Sequence, residues 1–192
     1  MAAVPVVVCA DFTCPFSYVT ETALRRMEAA GEVSLQYLAF ELYPHPEPLP
    51  GLDPQSLDPV RPLAAELGLP LGEPVDAVRS RKAHEAATFA RGRGVEGPLR
   101  DAIFRAYFEA GRDIGRIDVL VELGAGVGLD ASELKVVLDV DALAAQVEAE
   151  EEAARSAGIT AVPAIAVGSG AGAKVLIGAQ PLAELRREIL GG

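Results

Sequence analysis

The chain has 192 residues, is 50% hydrophobic and carries a formal net charge of −11. That is enough apolar material for one core, or for one domain carrying a large insertion. The acidity excludes a nucleic-acid binder and disfavours an anionic membrane surface, because both need clustered Lys and Arg.

With 5% aromatic residues and no Trp, the core must be built mainly from Ala, Val, Leu and Ile. The basic residues in Arg79-Ser80-Arg81-Lys82 and Arg91-Gly92-Arg93 are interleaved with Glu and Gly, as on a solvated helix surface. The apolar N-terminus has no charged leader-like region and is too short to span a bilayer. A cytoplasmic protein is expected. Two Cys in a reducing compartment argue against a structural disulfide framework.

Val4 to Ala10 is a run of β-branched residues and predicts a buried strand. Asp11-Phe12-Thr13-Cys14-Pro15 breaks it. From Pro15 to Ala30 the pattern is helical, with Pro in the first turn, Val19, Ala23, Leu24 and Met27 at helical spacing, and Gly31 as the stop. Val33 to Phe40 alternates as a second strand. The unit is βαβ, for which a parallel pair with a right-handed crossover is the default.

Pro44 to Pro54 is Pro-rich and reads as an ordered loop. Beyond it the spacing predicts helices over Leu57–Leu67, Pro74–Arg91, Pro98–Glu109, Ile117–Val127, Ser132–Leu138 and Asp141–Ala157, with Asp141 as an N-cap. Strand patterning returns over Ala161–Val167 and Lys174–Ile177. Gly168 to Ala173 reads as a flexible hairpin link. Pro181 opens a last amphipathic helix with Leu182, Leu185, Ile189 and Leu190 on one face. The order βαβ, helical block, ββα is that of an α/β thioredoxin fold with a large all-helical insertion between its halves. The expected organisation is a discontinuous thioredoxin-like domain, 1–56 with 157–192, and a helical insertion domain, 57–156.

Cys14 lies where the first strand gives way to the first helix. Unpaired backbone N–H groups and the helix dipole both favour negative charge there. Cysteines so placed reach pKa values of about 3.5–7.5, and the thiolate is the nucleophile. A depressed Cys14 pKa is therefore expected. Cys9 sits inside the Val-rich strand and reads as core. Val162-Pro163 is the second mark, with Pro163 opening the third strand.

These segments resemble the DsbA family, within it the FrnE-like branch and the related branch of kappa-class glutathione transferases and 2-hydroxychromene-2-carboxylate isomerases. The carriers are Asp11 to Tyr18, Ser80 to Ala86, Ala102 to Phe108 and Gly158 to Pro163. The resemblance implies a cis Pro163 packed against the active-site helix. The FrnE motif is Cys-Pro-aromatic-Cys, but here Ser17 stands in the fourth position. Pro-Phe-Ser-Tyr matches the other branch, which carries Ser in place of Cys14.

Ser17 cannot resolve a mixed disulfide, so an external thiol must, glutathione or another low-molecular-weight thiol being the candidate. Catalytic roles fall to Cys14, Ser17 and Pro163. Phe12, Pro15, Phe16, Tyr18, His84 and Val162 are candidates for thiol or substrate binding, and His45 reads as a solvated loop residue. No metal-ligand spacing, phosphate loop or nucleophile elbow is present in the sequence. No tightly bound cofactor is expected.

Three functions stay open. They are a monothiol oxidoreductase acting on small or protein disulfides, a glutathione-dependent transferase or isomerase, and a non-enzymatic thiol-dependent binding or chaperone-like module. A homodimer is left open.

Overall fold

The computed structural model describes residues 2–73, 75–168 and 172–191. Its first strand, β1 (Val4–Ala10), leads through Cys14 into helix α1 (Pro15–Ala29) and back along β2 (Val33–Ala39). β1 and β2 pair in parallel over their whole length, Val4 opposite Val33 and Ala10 opposite Ala39. Gly31 ends α1 in the left-handed region, φ 73°, where a side chain would be strained.

Six helices follow: α2 (Arg61–Glu66), α3 (Arg81–Arg91), α4 (Glu96–Phe108), α5 (Ile117–Gly126), α6 (Ala131–Asp139) and α7 (Ala144–Ser156). The chain then returns to the sheet as β3 (Ala164–Val167), β4 (Lys174–Ile177) and α8 (Leu182–Leu190). The sheet order is β2-β1-β3-β4, with β3 antiparallel to β1 and β4 antiparallel to β3. This is the thioredoxin arrangement expected from the element order.

Several boundaries differ from expectation. The helix expected from Leu57 forms only from Arg61, after a run of turns. The helix expected over Pro74–Arg91 begins at Arg81, and the described residues before it run without regular structure. Pro74 itself lies outside the described residues. The third strand begins at Ala164 rather than Ala161, because Pro163 has no N–H for the ladder. Asp141 is not an N-cap. It takes φ 52° and its carboxylate meets Lys82, while α7 starts after Leu143. The side-chain cap belongs to Asp130, which accepts from Ser132 N and Glu133 N, each at 2.9 Å. In α8, Leu185 and Ile189 are buried, but Leu190 is exposed. Of the Gly168–Ala173 link, 169–171 lie outside the described residues.

Two large apolar clusters meet at the motif. One lies between the sheet, α1 and α8, and includes Val6, Val8, Leu24, Met27, Ile165 and Leu185. The other fills the helical block around Phe89, Ile103, Phe104, Leu120 and Leu134, and takes in Phe12 and Tyr18 from the thioredoxin half. Close helix packing within it needs Gly124, where a Cβ would come within 2.4 Å of Leu134 Cδ2. The free edge of β2 is covered by α7. Glu150 accepts from Ala39 N at 3.0 Å, and Glu151 accepts from Glu41 N at 2.8 Å. These carboxylates satisfy donors that an open edge would leave unpaired.

Candidate active site

Cys14 is the N-cap of α1, with extended backbone angles and no side-chain cap of its own. A short turn holds it there. Cys14 N donates to Asp11 O at 3.1 Å, and Tyr18 N donates to Cys14 O at 3.2 Å. Asp11 organises the turn. Its carboxylate accepts from Thr13 N at 2.9 Å and from Leu42 N at 2.5 Å, tying the motif to the loop after β2. Its own N–H donates to Ser17 Oγ at 3.4 Å.

The Cys14 thiol donates to the Val162 carbonyl at 3.6 Å. The Val162–Pro163 peptide is cis, and Pro163 is buried. The Ser17 hydroxyl and the backbone N–H groups of Ser17 and Phe16 favour the thiolate at this sulfur.

These donors do not win in the resting site. Cys14 is 4% exposed, and burial pushes its thiol above the ordinary value, with the Asp11 charge adding to the rise. The expectation of a depressed pKa is thus overturned. Helix-terminus position favours negative charge, but the sulfur is enclosed deeply enough for burial to outweigh it. Cys9 is core, as its strand pattern implied. Burial and the nearby Glu150 push it up to about 11. Both cysteines are free.

A cavity of about 370 Å³ opens on the sulfur. Cys14, Pro15 and Phe16 form one side, with Leu42, Tyr43 and residues from Pro50 to Leu57 beside them. Val75, Ala77, Tyr107 and Phe108 close the other. Neither the 42–57 loop nor 73–77 carried a motif, so sequence reasoning passed over them. The loop's only signal was its Pro-rich sequence, while the spacing from Pro74 onward read as helix.

The structure does not bring the remaining candidates to the cavity. Phe12 is fully buried against Phe104 and His84, with ring centroids 5.0 and 4.9 Å away. Tyr18 stacks on Phe104 and Phe108, and its hydroxyl donates to Glu109 at 2.5 Å. Both are core rather than an apolar substrate wall, because the helical block packs against this end of the motif. His45 is exposed, as expected of a loop residue.

His84 does not face the cleft either. It is 1% exposed, neither ring nitrogen has a hydrogen-bond partner, and Nε2 lies 3.9 Å from Asp11 Oδ1. Burial first, then the charges of Arg100 and Arg81, hold its pKa well below 6.5. The folded protein therefore keeps His84 neutral while the unfolded chain protonates below that value. Stability is present above pH 6.5 and is lost as pH falls. Between pH 7.5 and 5.5 this residue is expected to remove about 1.4 kcal/mol. Urea unfolding of wild type and His84→Asn at both pH values checks this, since the variant lacks that share of the loss.

The family model for the DSBA-like thioredoxin domain matches residues 5–190. The chain belongs to that family. The uncharacterised protein YwbO of Bacillus subtilis (strain 168) is 31% identical over 170 residues, covering 82% of this chain and 84% of that one. A probable DsbA oxidoreductase from Streptomyces coelicolor superposes with a TM-score of 0.83 at 28% identity, over 97% of this chain and 88% of that one. The cytosolic disulfide reductase DsbM from Pseudomonas aeruginosa, solved with GSH, shares the fold at a TM-score of 0.70 and 19% identity, over 90% and 89%. A 2-hydroxychromene-2-carboxylate isomerase also shares the fold, with a TM-score of 0.72 and 17% identity, over 94% and 90%. Family and neighbours together support a thiol-disulfide oxidoreductase. Among the described residues no group of His, Cys, Asp and Glu could hold a metal ion, and no helix is long and apolar enough to cross a membrane.

Proposed function

We propose that this DsbA-family chain is a monothiol disulfide exchanger in which Cys14 is the nucleophile and a thiol from outside the chain completes each cycle. One observation carries the reading. Cys14 forms part of the wall of a cavity, while Ser17 occupies the position from which a second cysteine would act.

In the first step the Cys14 thiolate attacks a substrate disulfide RS–SR. The S–S bond breaks, Cys14–S–S–R forms, and RS⁻ leaves. In the second, an external thiolate R′S⁻ attacks the mixed disulfide, giving R′S–SR and restoring the Cys14 thiolate. No net oxidant is consumed. Ser17 and the N–H groups of Phe16 and Ser17 steady the thiolate, and the Val162 carbonyl, one residue before Pro163, borders the sulfur. The thioredoxin-like part, 1–56 and 157–192, supplies this chemistry. The helical part, 57–156, supplies the opposite cavity wall. A reducing, cytoplasmic setting suits such a cycle, since it offers small thiols.

Because burial holds the thiol above its ordinary value, the rate of the first step rises about tenfold per pH unit across neutral pH. The test is mass spectrometry after brief exposure to 2-hydroxyethyl disulfide. The adduct forms on Cys14 and not Cys9, rises with pH, persists until a small thiol is added, and is absent in Cys14→Ser. An adduct only on Cys9, or none where a free thiol reacts, overturns the proposal.

A further inference from the structure

The cavity at Cys14 has a charge character that the exchange reaction does not require. Its charged lining residues are Asp53 and Glu73, both exposed, and no Lys, Arg or His lines it among the described residues. The guanidinium nearest in function, that of Arg79, is committed elsewhere. Its nitrogens donate to the carbonyls of Tyr43 and Glu47, each at 2.5 Å, and so hold the loop that forms the rim. Asp53 Oδ1 accepts from Gln55 N at 2.9 Å, and among the described residues no Lys or Arg forms an ion pair with it. The remaining wall is apolar or neutral: Leu42, Pro50, Leu57, Val75 and the rings of Phe16 and Phe108.

Glutathione has two carboxylates, one at each end of a flexible chain, against a single ammonium, and so is net anionic at neutral pH. A site for it needs cationic side chains or a row of donors to receive them. This cavity presents two carboxylates instead, inside a chain of net charge −11, so the field repels an anionic thiol and concentrates cations at the mouth. A cation beside Cys14 also offsets the negative charge that develops on sulfur, whereas an anion adds to it.

Resting on the exchange reading above, we infer that the site is selective for a small thiol or disulfide of net positive charge and discriminates against the net-anionic glutathione. The volume of about 370 Å³ suits a molecule of that size. Asp53 and Glu73 are then specificity residues that attract the cation, while the apolar wall receives its carbon chain.

The test compares three disulfides as single-turnover partners of Cys14: cystamine, 2-hydroxyethyl disulfide and glutathione disulfide. Each rate is divided by that of a free model thiol with the same reagent at low salt. The normalised preference for cystamine over glutathione disulfide is expected to be about tenfold or more, and to shrink several-fold in 0.5 M salt. Asp53→Asn combined with Glu73→Gln should remove most of it. Asn at 53 keeps the acceptor for Gln55 N, so the loop keeps its turn. The remote pair Glu66→Gln with Glu152→Gln changes net charge equally and should leave the preference largely intact.

Equal normalised rates, a preference for glutathione disulfide, or an equal loss in both double variants overturns the inference. If Cys14 exchanges with the neutral disulfide yet shows no charge preference, the exchange reading stands and this inference alone falls. If it exchanges with none of the three, both fall.

Discussion

Ser17→Cys is expected to convert Cys14 from a thiol that depends on an external partner into one that resolves its own mixed disulfide. Cys14 is the N-cap of α1, and Ser17 is the third residue of that helix, so the two side chains rise on the same side of the first turn. Helical neighbours at this spacing have Cβ atoms about 5–6 Å apart, and a disulfide brings them to about 3.5–4.5 Å, a closure the end of a helix can accommodate. Ser17 already acts on the Cys14 thiol, favouring its thiolate. A thiol there attacks the Cys14–S–S–R bond intramolecularly and releases RS⁻. Intramolecular attack outruns a millimolar external thiol by on the order of 100-fold or more. In the wild type, the adduct with 2-hydroxyethyl disulfide persists in thiol-free buffer. In Ser17→Cys it should vanish there, leaving a 14–17 disulfide and a single titratable thiol on Cys9. Persistence of the adduct in the variant would mean that the two positions cannot meet. The missing cysteine would then not be what makes the site monothiol.

The sequence and structure agree best where local pattern and global role coincide. β1 carries β-branched residues on both faces because it is central in the sheet, flanked by β2 and β3. Lys174–Ile177 forms the strand expected of it. The active-site turn was legible because a helix opening on Cys14-Pro15 constrains its own geometry. What was not legible depends on contacts distant in sequence. Phe12 and Tyr18 share a motif with Cys14, yet they are claimed by the helical block, since Phe104 and Phe108 arrive from more than eighty residues away. Nothing local shows that Asp11 reaches Leu42 N, or that the Cys14 sulfur is enclosed enough for burial to outweigh its donors. The stretch before Arg81 was misjudged for a related reason. Its residues pack over the cavity and α4 rather than continuing a helix, with Gly72 N donating to Phe108 O at 2.8 Å and the Tyr107 hydroxyl donating to Asp76 O at 3.3 Å.

Arg100→Met is expected to cost about 3–5 kcal/mol, because it leaves the Glu21 carboxylate buried without its partner. Arg100 and Glu21 are each 1% exposed. Arg100 Nε donates to Glu21 Oε2 at 2.8 Å, and Nη2 donates to Oε1, so the pair is bidentate. The guanidinium also lies over the rings of Phe12 and Tyr37, 4.6 and 4.5 Å from their centroids. One side chain thus joins α4 of the helical block to α1, β2 and the active-site turn. Against a typical stability of about 5–15 kcal/mol, the single substitution removes about a fifth or more. The pair itself need not be strongly stabilising, since desolvating two ions offsets much of their attraction. Replacing both, as Glu21→Leu with Arg100→Met, should therefore recover most of the loss and even exceed wild type by about 1–4 kcal/mol if the side chains repack. Urea unfolding of the four proteins forms the double-mutant cycle that separates these effects. A cost below about 1 kcal/mol for Arg100→Met would indicate that water reaches the pair. A double variant no better than the worse single one would show that the guanidinium acts mainly through its stacking on Phe12 and Tyr37, and so through the packing that holds Cys14 at the end of its helix.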